Sequence, residues 1–270
     1  MTVGVRRSVP SRLAGVLEAL ELEQPRVVAA ADLDLLARDS GLTLSGVELG
    51  YQLRRLGWLL PLRTRGVWEF APAARAGRLS AGDRHIELRA ALAIDPEFPG
   101  VLAMESAAVL LGLARHVPER EVLAVPQGFR VSPALRDWRV IQLDLPEYAS
   151  TQVEGLPVWR VEALLVGMAI RPAGYRDWAN AAAWLPHAVE HADPVVVRSL
   201  LDGAPTTAHR RAGYLLAVGG RGDEGLVLVD GLAADRGPVY LGPRSRPGRF
   251  DARFGVLDSV LAAGLESVEP

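Results

Sequence analysis

The stretch Ser45–Phe70, SGVELGYQLRRLGWLLPLRTRGVWEF, decides the fold of the first part of this chain. It reads as a short amphipathic helix from about Ser45 to Leu56, a glycine stop at Gly57, and a two-stranded hairpin with Arg63-Thr64-Arg65-Gly66 at its tip. Gly57 suits the left-handed residue that ends many helices. At roughly 100° per residue, Leu49, Leu53 and Leu56 fall within about 60° of one another, so they face inward. The opposite side then carries Val47, Glu48, Tyr51, Arg54 and Arg55, with Ser45 at the start of the helix. Such a mixed set can hydrogen-bond base edges, touch a thymine methyl and contact phosphate. The hairpin adds Arg63, Thr64 and Arg65, and arginines at such a tip follow the backbone or enter a narrow minor groove. The layout is that of a recognition helix followed by a wing, so the expected ligand is double-stranded DNA.

The residues upstream complete this reading. Ser11 is placed to cap a helix through Leu20, with Leu13, Val16, Leu17 and Leu20 spaced as a buried face, and Pro25 ends it. Val27-Val28 is expected as a short first strand. A second helix starts at Asp32 or the preceding alanines, turns Leu33, Leu36 and Ala37 inward, and stops at Asp39-Ser40-Gly41. The expected fold class is therefore α+β: a winged helix-turn-helix domain with its linker over residues 1–79, and a larger mixed α/β domain over residues 80–270.

Downstream, residues 71–82 turn to alanine, glycine, proline and arginine, which reads as a linker. Helices are then expected over His85–Ala93, Met104–Leu113, Glu162–Ile170 and Thr206–Val218, with further helical pieces from Tyr175 punctuated by Pro186 and Asp193-Pro194. Strands are expected at Val122–Val125, Arg139–Leu143, Val158–Val161, Leu226–Val229, Val239–Leu241 and Phe254–Leu257.

Composition narrows the chemistry. The chain has no cysteine, which excludes disulfides, thiolate metal sites and cysteine nucleophiles. All 30 basic residues are arginine, so a catalytic or P-loop lysine is excluded as well, and a single arginine carries less information than usual. The net charge of -2 hides an asymmetry: residues 1–79 hold 11 arginines against 8 acids, a balance of +3, and the remainder is at -5. An anionic partner belongs to the front third. No apolar run approaches the ~18 residues of a membrane span. Glu18, Glu21 and Glu23 interrupt the apolar region that an export signal beginning at Arg6-Arg7 would need, so a cytoplasmic protein is expected.

No catalytic constellation emerges. His187-Ala188-Val189-Glu190-His191 has the H-x-x-E-H spacing of inverted zinc peptidases, but no third ligand or supporting shell is announced nearby, and the segment reads as a surface helix. There is no G-x-S-x-G, and Gly219-Gly220-Arg221-Gly222 follows a helix rather than a strand, so it lacks the order of a phosphate loop. The expectation is a non-enzymatic protein with neither metal nor cofactor.

The motifs resemble those of the AbiEi-type antitoxins of type IV toxin-antitoxin systems. The L-R-R-L-G-W-L-x-P-L-R-x-R-G-V-W pattern of Leu53–Trp68 is similar to their winged N-terminus. Leu102-Ala103-Met104-Glu105-Ser106-Ala107-Ala108 followed by Leu111-Gly112-Leu113 resembles the family's S-x-E-S-A-L-x-x-x-G-L segment, and leads into the apolar Val122–Val125. Val158–Leu165 and Ala208-His209-Arg210-Arg211-Ala212-Gly213-Tyr214-Leu215-Leu216 resemble its strand-helix junction and its R-R-x-G-Y-L-L helix. The chain departs at Ala103-Met104, where relatives often place Ser-His. The resemblance implies a transcriptional autorepressor that binds inverted repeats at its own promoter through the winged domain. It further implies a C-terminal domain for self-association on DNA and for antitoxicity, exerted directly or indirectly against a nucleotidyltransferase-like toxin encoded beside it. The residues alone also leave open a one-component, ligand-responsive regulator without a toxin, which requires an apolar pocket in the C-terminal domain.

Overall fold

The computed structural model describes residues 9–74, 82–232 and 237–261. The Arg6-Arg7 pair and most of the expected linker lie outside the described residues. Contacts divide the chain into two compact units, one running to Phe98 and including Val131–Asp137, the other comprising Pro99–Arg130 and the chain from Trp138 onward.

The first unit begins with a 3-10 turn, Ser11–Leu13, that leads directly into α1, Ala14–Glu23. Ser11 does not cap: Pro10 holds the N-cap position and no side chain bonds the first turn. The expected apolar face is correct, with Leu13, Val16, Leu17 and Leu20 all buried. Strand β1 (Val27–Ala29) leads into α2 (Ala30–Asp39), where the Asp32 carboxylate accepts the Ala29 N–H at 2.9 Å. Helix α3 (Gly46–Arg55) starts at Ser45 in a capping box. The Glu48 N–H donates to Ser45 Oγ, and the Glu48 carboxylate accepts the Ser45 N–H at 2.9 Å. Gly57, at φ 82°, ends the helix as its sequence position foretold. Strands β2 (Leu59–Pro61) and β3 (Val67–Phe70) form the hairpin, and β3 lies between β1 and β2 in an antiparallel sheet. Three helices and a three-stranded sheet in this order are what the winged helix-turn-helix reading requires.

Two glycines let α3 dock closely. A Cβ on Gly46 would stand 1.9 Å from the Ala30 carbonyl oxygen, and one on Gly50 would stand 2.4 Å from the Trp68 ring. The indole therefore seats flat against the helix backbone, and Leu49 and Leu53, both fully buried, complete the same core. Leu56, expected inward, is only partly buried at its edge. Helix α4 (Ile86–Ile94) also belongs to this unit by contacts: Ala90 packs with Ala29 and Val67 on the sheet.

The second unit is built on a five-stranded mixed sheet in the order β6-β5-β4-β8-β7. Its strands are β4 (Val101–Leu102), β5 (Val122–Val125), β6 (Arg139–Gln142), β7 (Ser150–Val153) and β8 (Leu156–Trp159), and α5 (Met104–Leu110) follows β4 directly. Strand β7 was not anticipated. Glu154 and Gly155, at φ 52° and 71°, form the two-residue left-handed turn that joins it to β8. Helix α6 (Val161–Ile170) is apolar all round and buried from Glu162 to Ala169, as a central helix must be. Against it lie α7 (Trp178–His191), α8 (Pro194–Leu200) and α9 (Thr206–Val218), and α10 (Gly222–Val229) packs on α9.

Several expectations need correction here. Pro186 does not break the chain into pieces but sits inside the continuous α7. Leu226–Val229 is the last turn of α10 rather than a strand. Close packing of Gly225 against Gly213 of α9, where a Cβ would meet a carbonyl oxygen at 2.3 Å, makes the helical pairing possible. The last sheet, with order β10-β11-β9, comprises β9 (Val239–Leu241), β10 (Arg249–Asp251) and β11 (Val256–Asp258). Phe254, expected to begin a strand, instead fills the core from the preceding turn.

The paired arginines of α9 serve this packing. Arg210 Nε donates to the Phe254 carbonyl at 2.7 Å, and Arg211 donates to the carbonyls of Tyr240 at 2.9 Å and Ala169 at 3.1 Å. Tyr214 hydroxyl donates to the buried Asp258 at 2.9 Å. The R-R-x-G-Y segment thus ties the C-terminal strands to the helical core through bonds to backbone carbonyls and to Asp258.

Candidate nucleic-acid interface

The outer face of α3 is presented as its periodicity predicts. Val47 and Tyr51 are 45% and 56% exposed, values that identify an apolar surface left uncovered, and Arg54 and Arg55 stand exposed beside them. Tyr51 is steadied by an edge-on contact with Trp68, with ring centroids 6.2 Å apart. Arg54 and Arg55 join Tyr51, Gly57 and Leu59–Pro61 around an open recess of about 790 Å³, where the end of α3 meets β2. The face is therefore a cationic rim around an apolar, aromatic centre, suited to phosphate at its edge and base or sugar contacts at its middle.

Two of the candidate residues on the helix have prior duties. Ser45 and Glu48 complete the capping box, and the bonds from the Ser45 backbone N–H and hydroxyl hold the Glu48 carboxyl below its usual pKa. Glu48 is thus a fixed negative charge at the start of the helix. Gln52, absent from the sequence reading, is half-buried and accepts from Arg12 at 3.0 Å, which brings a further arginine of α1's leading turn to this side. Only the pairing, not the helical period, reveals Arg12.

The hairpin tip is less free than its sequence suggests. Arg63 pairs its guanidinium with Asp137, its N–H donates to Glu87 at 2.9 Å, and the Thr64 hydroxyl donates to the same carboxylate at 3.1 Å. Arg65 is exposed. The acids that engage the tip come from α4 and from the segment Val131–Asp137, both in the same compact unit, and neither was identifiable from local sequence.

The H-x-x-E-H residues lie on an exposed face of α7. His187, Glu190 and His191 bring ligand-type atoms within 4.8 Å of one another, with His191 Nδ1 hydrogen-bonded to the His187 carbonyl at 2.9 Å. They form a surface helix turn, as expected.

Residues 100–218 match the family model of the AbiEi antitoxin C-terminal domain. This segment is an AbiEi antitoxin domain. It runs from β4 to the end of α9, and so takes in the five-stranded sheet, the central helix α6 and the arginine pair of α9. The chain as a whole is similar to the crystal structure of the RV2827C protein from Mycobacterium tuberculosis, with a TM-score of 0.83 and 27% identity over 98% of this chain and 97% of that one. No curated protein matches the chain. AbiEi antitoxins are regulatory rather than catalytic. No helix among the described residues is long and apolar enough to cross a membrane.

Proposed function

We propose that this chain is a DNA-binding antitoxin that represses its own toxin-antitoxin operon by binding promoter inverted repeats, and that it counteracts a nucleotidyltransferase-like toxin encoded beside it. The unit that runs to Phe98 is assigned to DNA binding, extending the expected 1–79 by α4, and the second unit to assembly and antitoxicity. One observation carries the reading: an AbiEi antitoxin domain is joined to a unit whose exposed helix presents Val47, Tyr51, Arg54 and Arg55 together. The positive balance of the N-terminal third supports it, because phosphate contacts supply most of the affinity of such a surface.

Arg54 and Arg55 flank the phosphate path, Tyr51 and Val47 meet base edges or sugars, and Arg65 extends the contact from the hairpin. Ser45 and Glu48 orient the helix start, and Arg63 and Thr64 shape the tip. A mobility-shift titration on the upstream region tests this assignment. The variant with Arg54, Arg55, Arg63 and Arg65 all changed to Ala should lose specific binding, and unchanged binding would remove these residues from the interface. Co-expression with the adjacent reading frame tests the antitoxin half, with rescue of growth as the expected result.

A further inference from the structure

The turn at Glu105-Ser106, one of the landmarks by which the family is recognised, takes no part in the surface assigned to DNA. In the structure Glu105 forms one wall of a recess of about 430 Å³ in the second unit, lined also by His116, Arg120, Arg139, Arg176 and Asp177, with Glu119 at the same opening. That volume falls within the range of small-molecule sites, roughly 300 to 1,000 Å³.

Three arginines and three acids line it, so the formal charges balance with Glu119 counted at the opening, but two of the acids are already engaged. Glu105 is buried at 5% exposure, and its carboxylate is already used: it accepts from the Arg139 guanidinium and from the Arg176 backbone N–H. Asp177 is used as well, accepting from Asn180 at 2.8 and 3.0 Å and standing 3.5 Å from His116 Nδ1. The guanidinium groups of Arg120 and Arg176 are exposed at the opening and pair with no carboxylate among the described residues. Deeper in, Arg139 Nε is buried with no hydrogen-bond partner, although its neighbouring nitrogen holds Glu105. An unsatisfied buried donor on a charged group is costly, and an oxyanion is a group that relieves it.

The backbone is strained at the same place. Met104, which immediately precedes Glu105, is fully buried at φ 49°, a left-handed conformation that non-glycine residues rarely adopt. Glu105, the next residue, turns its carboxylate to Arg139.

We propose that this recess is a binding site for a small organic anion, whose carboxylate or phosphate group is held by Arg120 and Arg176 and by the free edge of Arg139. Glu105 is a positioning residue: it orients Arg139 and fixes the Arg176 backbone without touching the ligand. The proposal does not rest on DNA binding, and it replaces the apolar pocket that a ligand-responsive regulator was expected to need with a charged one.

The test is calorimetric titration of the full chain with inorganic phosphate, acetate and succinate in turn, which separates the phosphate source from the carboxylate source. Saturable binding of at least one probe with Kd of about 1 mM or tighter is expected. Arg120→Ala and Arg176→Ala should each weaken it about tenfold, the worth of one charge-assisted bond, because both side chains are exposed and their loss leaves folding intact. Arg244→Ala, elsewhere on the same unit, should bind like the parent chain. Absence of saturable binding by every probe, or binding that the Arg120→Ala/Arg176→Ala double variant retains, overturns the proposal.

Discussion

The Arg63 guanidinium at the hairpin tip is ion-paired with the carboxylate of Asp137, 74 residues further along the chain. Together with the bonds from Arg63 N–H and Thr64 Oγ1 to Glu87, this contact neutralises part of the charge the tip would offer to a phosphate backbone. Asp137→Asn keeps the shape of the side chain and removes its charge. If the tip contacts DNA, this variant should bind operator DNA more tightly, by about three- to tenfold at low salt, and the slope of log K against log salt should steepen by about one. Titrations at several salt concentrations check both, and an unchanged slope would remove Arg63 from the phosphate contacts.

Gly50 and Gly15 lie on neighbouring helices but predict opposite outcomes. Gly50→Ala places a methyl 2.4 Å from the Trp68 ring in the core, so it should destabilise the first unit by about 1–3 kcal/mol. Gly15→Ala meets only the Ser40 side chain, its hydroxyl at 3.4 Å, on an exposed face of α1, and should be neutral or stabilising by up to about 1 kcal/mol through helix propensity. Chemical denaturation followed by circular dichroism separates the two. Equal behaviour of both variants would contradict the close seating of Trp68 on α3.

Glu105→Gln removes the partner of a largely buried arginine. Leaving Arg139 without its counter-charge should cost the second unit about 3 kcal/mol, since breaking a buried pair from one side is worse than never having formed it. Thermal unfolding measures the loss. A variant as stable as the parent would show that the Glu105–Arg139 pair contributes nothing to folding.

Asp83 supplies a pH-dependent increment. Burial of its side chain, 7% exposed, raises the pKa, but the His85 N–H at 2.9 Å and the Arg89 guanidinium at 2.8 Å outweigh it and hold the carboxyl below its ordinary value. A depressed pKa means that the stabilisation is fully present above the unfolded-state value near 4 and is lost as pH falls through the lower folded value. Asp83→Asn should therefore be less stable than the parent by about 1–3 kcal/mol at pH 7, and the gap should begin to narrow below about pH 4 and close only at low pH, below the depressed folded value. Denaturation curves at both pH values decide it; a gap that persists at low pH would assign the effect to shape rather than charge.

Much of the architecture was readable before any coordinates. The buried faces of α1, α2 and α3 follow from leucine spacing, and α9 and β9 begin and end where the sequence places them. Local signals sufficed there because each element's period and its stops coincide. They failed at Leu226–Val229, where an apolar run suits strand and helix equally and only the facing glycines of α9 and α10 settle the matter. They failed again at Ser150–Val153, a half-exposed strand whose partner is chosen by the Glu154-Gly155 turn.

The candidate surface divides in the same way. The sequence by itself determined which side of α3 faces out, because Leu49 and Leu53 commit one side of the helix to the core, and the family motifs in order determined the kind of C-terminal domain. Which charges on that surface are available was decided by tertiary structure alone. Arg63 meets Asp137, Arg12 meets Gln52, and Glu105 meets Arg139 across 74, 40 and 34 residues of chain. Coulomb and hydrogen-bond partners are fixed by distance in space, and no periodicity in the chain encodes which acid will arrive opposite a given arginine.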